Sequence, residues 1–213
     1  MDSCAQPPVG GVDKEALEDT ARAVIQVLKD LRLDARVAVI GGLARIHWHD
    51  AKGRITHDVD FLIDDNKINV DSLKATIGLA NRFGTDRGGE LYYDHLKRDA
   101  STIRCFVKLI AQNQVPYIPS DAEHVRDIQG KNIPYISISD LIAFKIYACG
   151  KITTLKRVTH AIDAHTLLGA NASKEAPLTL TADQKAAVES GIEILLVVWQ
   201  GDSRDWWTDR LGL

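Results

Sequence analysis

Two aspartates one residue apart, Asp58 and Asp60, stand in the stretch HDVDFLID, where acids alternate with apolar residues. Such alternation is the period of a β-strand and projects both carboxylates from one face. Carboxylates held that close repel unless a cation or hydrogen-bond donors compensate them. Either they are solvated at a strand end, or they share a cation such as Mg²⁺, which is held by one or two carboxylates with water and phosphate filling the remaining positions. The second reading is phosphoryl-transfer chemistry, in which the cation neutralises charge on phosphate oxygens. Upstream, Gly41 and Gly42 end the β-branched run RVAVI. A glycine turn there lets backbone N–H groups approach a triphosphate with no Cβ in the way. Arg54, with Lys52 nearby, is read either as a further phosphate contact or as a solvated loop cation.

The elements that must position these residues follow from periodicity. DKEALEDTARAVIQVLKDLRL has helical spacing, with Asp13 as its N-cap. RVAVI is a strand entering the glycine turn, LARIHWHDA a short helix, and HDVDFLID the strand that carries the acids. NVDSLKATIGLANRFG is read as a helix closed by Gly84. ELYYDHL and STIRCFVKLIA are read as two strands joined through KRDA. Residues 112–134 form a long connection, and the later segments have helical period, with Ser139 and Thr181 as caps. The expectation is an α+β protein: a mixed-sheet core over residues 1–135, followed by a helical region over 136–213 that walls a cleft above the acids.

The succession of apolar strand, Gly-Gly, short helix and then Gly-Arg-x-Thr-x-Asp-x-Asp resembles the nucleotidyltransferases of the DNA polymerase beta superfamily, in particular the small antibiotic and toxin-type members. The matching residues are Gly41, Gly42, Gly53, Arg54, Thr56, Asp58 and Asp60. The resemblance is firm over residues 36–64, looser over 65–168, and does not extend to the residues after 168. It implies an NTP as substrate, Mg²⁺ held by Asp58 and Asp60, phosphates at Gly41 and Gly42, and transfer of a nucleoside monophosphate to an unidentified acceptor. Enzymes of this kind usually carry a third carboxylate on a later strand. In the order of elements here that strand is STIRCFVKLIA, which has no acid, and Lys108 takes the matching position.

A protonated lysine cannot ligate Mg²⁺. Lys108 either pairs with Asp58 or Asp60 in place of a cation, or meets phosphate as a point charge. By strand parity Arg104, Phe106 and Lys108 share a face, and Arg104 is expected to join Lys108 opposite the two acids. Cys105, Val107 and Leu109 form an apolar face that should meet helices behind the sheet. Glu90 and Asp94 are read as substitutes for the missing acid or as surface residues of a hairpin. Three functions remain open: Mg²⁺-dependent nucleotidyl transfer, nucleotide binding without catalysis, and a metal-independent transfer using Lys108, Lys145 or a histidine.

Lys145 interrupts the apolar helix LIAFKIYA and needs a partner or an exit to water; it is expected to face phosphate in the cleft. Lys156, His160 and Asp163 share one helix face. His47, His49 and His57 are close in sequence, but the rings of HxH on a helix diverge, which disfavours zinc. Trp199, Trp206 and Trp207 crowd the last residues and are read as core packing, a lid or an oligomer contact.

Composition narrows the class. With 45% hydrophobic and 26% charged residues, the chain can bury a core without staples. A net charge of −3 and the lack of a basic and aromatic stripe argue against a nucleic-acid surface. Three cysteines, with no CxxC, point to a reducing cytosolic compartment. No apolar run is long enough to span a membrane.

Overall fold

The computed structural model describes residues 12–49, 56–153 and 155–213. Helix α1 (Lys14–Asp30) begins at Asp13, whose carboxylate accepts the Ala16 N–H at 2.7 Å. Its apolar face, Leu17, Ala21, Val24, Ile25 and Leu28, is buried. There follow β1 (Arg36–Ile40), α2 (Gly41–Trp48), β2 (Asp58–Asp64), α3 (Val70–Ile77), β3 (Phe83–Thr85), β4 (Leu91–Leu96) and β5 (Thr102–Ala111). The long connection holds two single-turn 3-10 segments and a two-residue strand, β6 (Glu123–His124). Helices α4 (Ile138–Lys151), α5 (Lys156–Asn171), α6 (Ala182–Val198) and α7 (Arg204–Leu211) complete the chain.

Among the described residues the strands form one mixed sheet in the order β3-β4-β5-β2-β1-β6. β2 lies at its centre, antiparallel to β1 and parallel to β5. Strand alternation divides the core in two. Val37, Val39, Val59, Phe61, Ile63, Cys105 and Val107 meet α1 and α3 on one face. Ala38, Ile40 and Leu62 meet the helices α4–α7 on the other. The architecture is α+β, as the sequence implies.

Three details differ from what the sequence predicts. Gly41 and Gly42 are the first residues of α2 itself rather than a loop before it. α3 ends at Gly78, and Gly84 lies inside β3. The Tyr92 ring covers Gly84, where a Cβ would fall 2.5 Å from the phenolic oxygen. The N-cap of α4 is Ser137, which accepts the Asp140 N–H, not Ser139. The tryptophan-rich end packs into the core, one of the expected alternatives: Trp207 is fully buried, and His165 stacks between Trp199 and Trp206 at 4.5 and 4.7 Å.

Helices α4 and α6 cross at close range through Gly150 and Gly191. A Cβ on Gly191 would collide with the Ile146 carbonyl, and one on Gly150 would stand 2.8 Å from the Ser190 oxygen. Gly191→Ala must push the two backbones apart, an overpacking change that typically costs ~1–3 kcal/mol. A fall in the urea midpoint is expected, and an unchanged midpoint would show that the crossing has slack.

Candidate functional site

Asp58 and Asp60 sit on the first half of β2, both partly buried, on the face shared with α4 and α5. The parallel register sets Phe106 opposite Asp58 and Lys108 opposite Asp60. Lys108 reaches back two residues along β2, and its ammonium donates to Asp58 Oδ2. The Thr56 hydroxyl donates to the other oxygen, Oδ1, at 2.8 Å. Asp60 is turned towards the start of α2. The Gly42 N–H donates to its carboxylate, and Gly41, at φ +71°, presses against it. A Cβ on Gly41 would land on Asp60 Oδ2, while one on Gly42 would lie 2.5 Å from the Thr56 hydroxyl. The glycine pair is thus needed because two acid-strand side chains occupy the space a Cβ would take. Gly41→Ala combines that clash with a left-handed backbone costing ~1–2 kcal/mol in a non-glycine residue. A lower melting temperature and displacement of Asp60 are expected; a variant with the original melting temperature would refute this packing.

Beneath the acids lies a buried charged cluster. Lys145 of α4 donates to Asp163 Oδ2 of α5 at 2.8 Å, and Arg45 of α2 approaches Asp163 Oδ1 at 3.6 Å. All three side chains are at most 5% exposed. Lys145 is therefore engaged with Asp163 rather than open to the cleft, and it acts on Asp60 through its field. Lys156, at the start of α5, likewise acts on Asp58. The sequence offers one signal for Arg45, a cation inside the apolar stretch GLARI.

The electrostatics separate the two acids. Burial pushes the Asp58 carboxyl up, but the Lys108 hydrogen bond and charge and the Thr56 hydroxyl outweigh it, so its pKa falls. For Asp60, burial and then the Asp58 charge raise the pKa from 3.8 to about 6, against the pull of Lys108, Lys145 and the Gly42 N–H. Burial opposes the charge on Lys108, but its bond to Asp58 and the fields of both acids hold its pKa up. A carboxyl that keeps its proton more tightly in the folded chain favours folding in acid, and that contribution is lost as pH rises through about 6. Asp60→Asn should therefore raise the urea midpoint at about pH 8 and leave it unchanged near pH 4. A gain equal at both pH values would mean that Asp60 carries no folding penalty when ionised.

The other expected residues disperse. Arg54 lies outside the described residues. Arg104 does not join Lys108, because Asp94, directly opposite it on β4, binds its guanidinium at 3.0 and 3.2 Å. That pairing also removes Asp94 as a third acid. Glu90 is exposed but adds its field at Lys108. It lines a cavity of about 220 Å³ with Lys108, Phe106 and the first turn of α3. A larger hollow, about 640 Å³, lies between α1, α2 and residues 131–135 and shares no lining residue with the acids. His47 stacks on Tyr135 at 3.9 Å in that hollow.

The donor set does not fit Mg²⁺ as it stands. Both Asp58 oxygens are taken, one by an ammonium, and Asp60 is turned to Gly42. Among the described residues no three His, Cys, Asp or Glu side chains gather as a metal site. Nor, among them, is any helix long and apolar enough to cross a membrane.

No family model matches the sequence, and no curated protein sequence does. The structure is similar to the crystal structure of an antigenic nucleotidyltransferase-like protein from Paracoccidioides brasiliensis, with a TM-score of 0.58. The two are 15% identical, and the match covers 90% of this chain and 100% of that one. At that identity the likeness shows the fold: this chain has the architecture of a nucleotidyltransferase-like protein.

Proposed function

We propose that the chain binds a nucleoside triphosphate by its phosphates at Lys108 and the start of α2, and transfers the nucleoside monophosphate to an acceptor. The observation that carries this reading is the Lys108 ammonium, held against Asp58 on the strand beside Asp60, where the resemblance would lead one to expect a third carboxylate. In the step, an acceptor oxygen bonds to the α-phosphorus, the bond to pyrophosphate breaks, and the acceptor proton leaves. Lys108 offsets charge on the phosphate oxygens as a charge-assisted donor. Asp60, with a carboxyl pKa of about 6, is the group suited to take the proton near neutral pH. Lys145 and Arg45, clamped on Asp163, hold α2, α4 and α5 around it.

A second reading, nucleotide binding without transfer, is favoured by the engagement of both Asp58 oxygens. Incubation with α-labelled NTPs, with and without Mg²⁺, separates them. Labelled product and released pyrophosphate support transfer, and saturable binding without product supports the second reading. Absence of any binding defeats both.

A further inference from the structure

The helices α4–α7 cover only part of their face of the sheet. Ala38, Ile40 and Leu62 on β1 and β2 join their core, whereas Tyr92, Asp94, Arg104 and Phe106, on the same face of β4 and β5, remain partly or fully exposed. This open half is ordered. Across the sheet Gly84, Tyr92, Phe106 and Asp58 stand directly opposite one another in one row. Gly84 has no side chain, and the Tyr92 ring occupies the space a Cβ there would take. The Arg104 guanidinium stacks on that ring, 3.6 Å from its centroid, and Asp94 grips it by two nitrogens. The outcome is a flat guanidinium beside a half-buried phenylalanine ring, in a row that ends at Asp58 and next to Lys108.

We infer that this open half-face is a stacking platform for a nucleobase, and that it seats the base of the nucleotide whose phosphates meet Lys108. Planar bases stack on aromatic rings and on arginine planes. Four residue steps along the strand take Arg104 to Lys108, a span of ~13 Å, within reach of an extended nucleoside triphosphate. The pairing of Arg104 with Asp94 fits the same role: it fixes the guanidinium plane and cancels the charge, so the group offers a surface rather than a phosphate contact. An unoccupied ion pair on a hairpin would need neither the glycine under Tyr92 nor Phe106 in line with it.

This inference rests on the proposed phosphate site, and calorimetry with two probes tests the two apart. ATP and inorganic tripolyphosphate are titrated into the wild type, Arg104→Ala, Phe106→Leu and Lys108→Ala at ~0.15 M salt, where a Debye length of about 8 Å screens Arg104 from the phosphates. ATP is expected to bind roughly tenfold tighter than tripolyphosphate, as one stacked base would supply. Arg104→Ala and Phe106→Leu should each weaken ATP towards the tripolyphosphate value while leaving tripolyphosphate unchanged. Equal binding of the two probes, or ATP affinity unmoved in both variants, overturns the platform and leaves the phosphate site standing. If neither probe binds the wild type, or Lys108→Ala binds both as well as the wild type does, the phosphate site fails and the platform with it.

Discussion

Asp163→Ala is expected to be the most damaging single substitution in the protein. The carboxylate stands between Lys145 and Arg45, and all three side chains are at most 5% exposed. Whether an intact buried ion cluster adds net stability is a separate matter, since desolvation of the charges offsets their attraction. Removing the acid is different: it takes a carboxylate away from a buried lysine and a buried arginine. Breaking a buried pair in this way costs ~3–5 kcal/mol, a large share of the total stability of a typical domain. Urea unfolding should show the loss, and Lys145→Met should cost less, since it leaves Asp163 with Arg45. The second effect would be felt at the acids. Lys145 lowers the proton affinity of Asp60, so Lys145→Met should move the Asp60 titration further up. A loss below about 1 kcal/mol in Asp163→Ala would show that water reaches the cluster and that it does not brace α2, α4 and α5.

Lys108 is the second large effect, and its readout is binding rather than stability. Its side chain is 39% exposed and that of Asp58 26%, so solvent screens the pair and little folding energy rides on it. A hydrogen bond to a charged group contributes roughly 1.5–3 kcal/mol, so Lys108→Met should weaken triphosphate binding roughly ten- to a hundredfold. Lys108→Asp asks the opposite question. It places three carboxylates on adjacent strands, at 58, 60 and 108, and frees Asp58 Oδ2. Calorimetric Mg²⁺ binding stronger than that of the wild type is expected, together with loss of metal-free triphosphate binding. Unchanged affinity for both Mg²⁺ and triphosphate would remove Lys108 from the site.

Much of the site was legible in the sequence because strands have a period of two. Alternation alone put Asp58 with Asp60, separated Lys108 from the apolar set Cys105, Val107 and Leu109, and predicted that this set meets helices behind the sheet. Helical periodicity likewise located α1, α4, α5 and α6, where apolar residues recur on one side. What periodicity cannot supply is the partner across space. That Lys108 stands beside Asp60 depends on the parallel register of β2 and β5, set by packing of elements far apart in the chain. Arg104 shows the same limit. Strand parity gives its face, but cross-strand pairing supplies Asp94 directly opposite it. Lys145 needed a partner on general grounds, yet only the crossing of α4, α5 and α2 decided that Asp163 would serve and that Arg45 would share it. Local chemistry favours glycine just after a helix, which is why the sequence predicts Gly84 as a cap. It is instead a strand residue under the Tyr92 ring, a requirement created by a neighbouring strand. Local chemistry therefore determined which residues could form the site, and long-range pairing decided which charges they face, because the energy of a buried charge depends on groups that only the tertiary fold brings within reach.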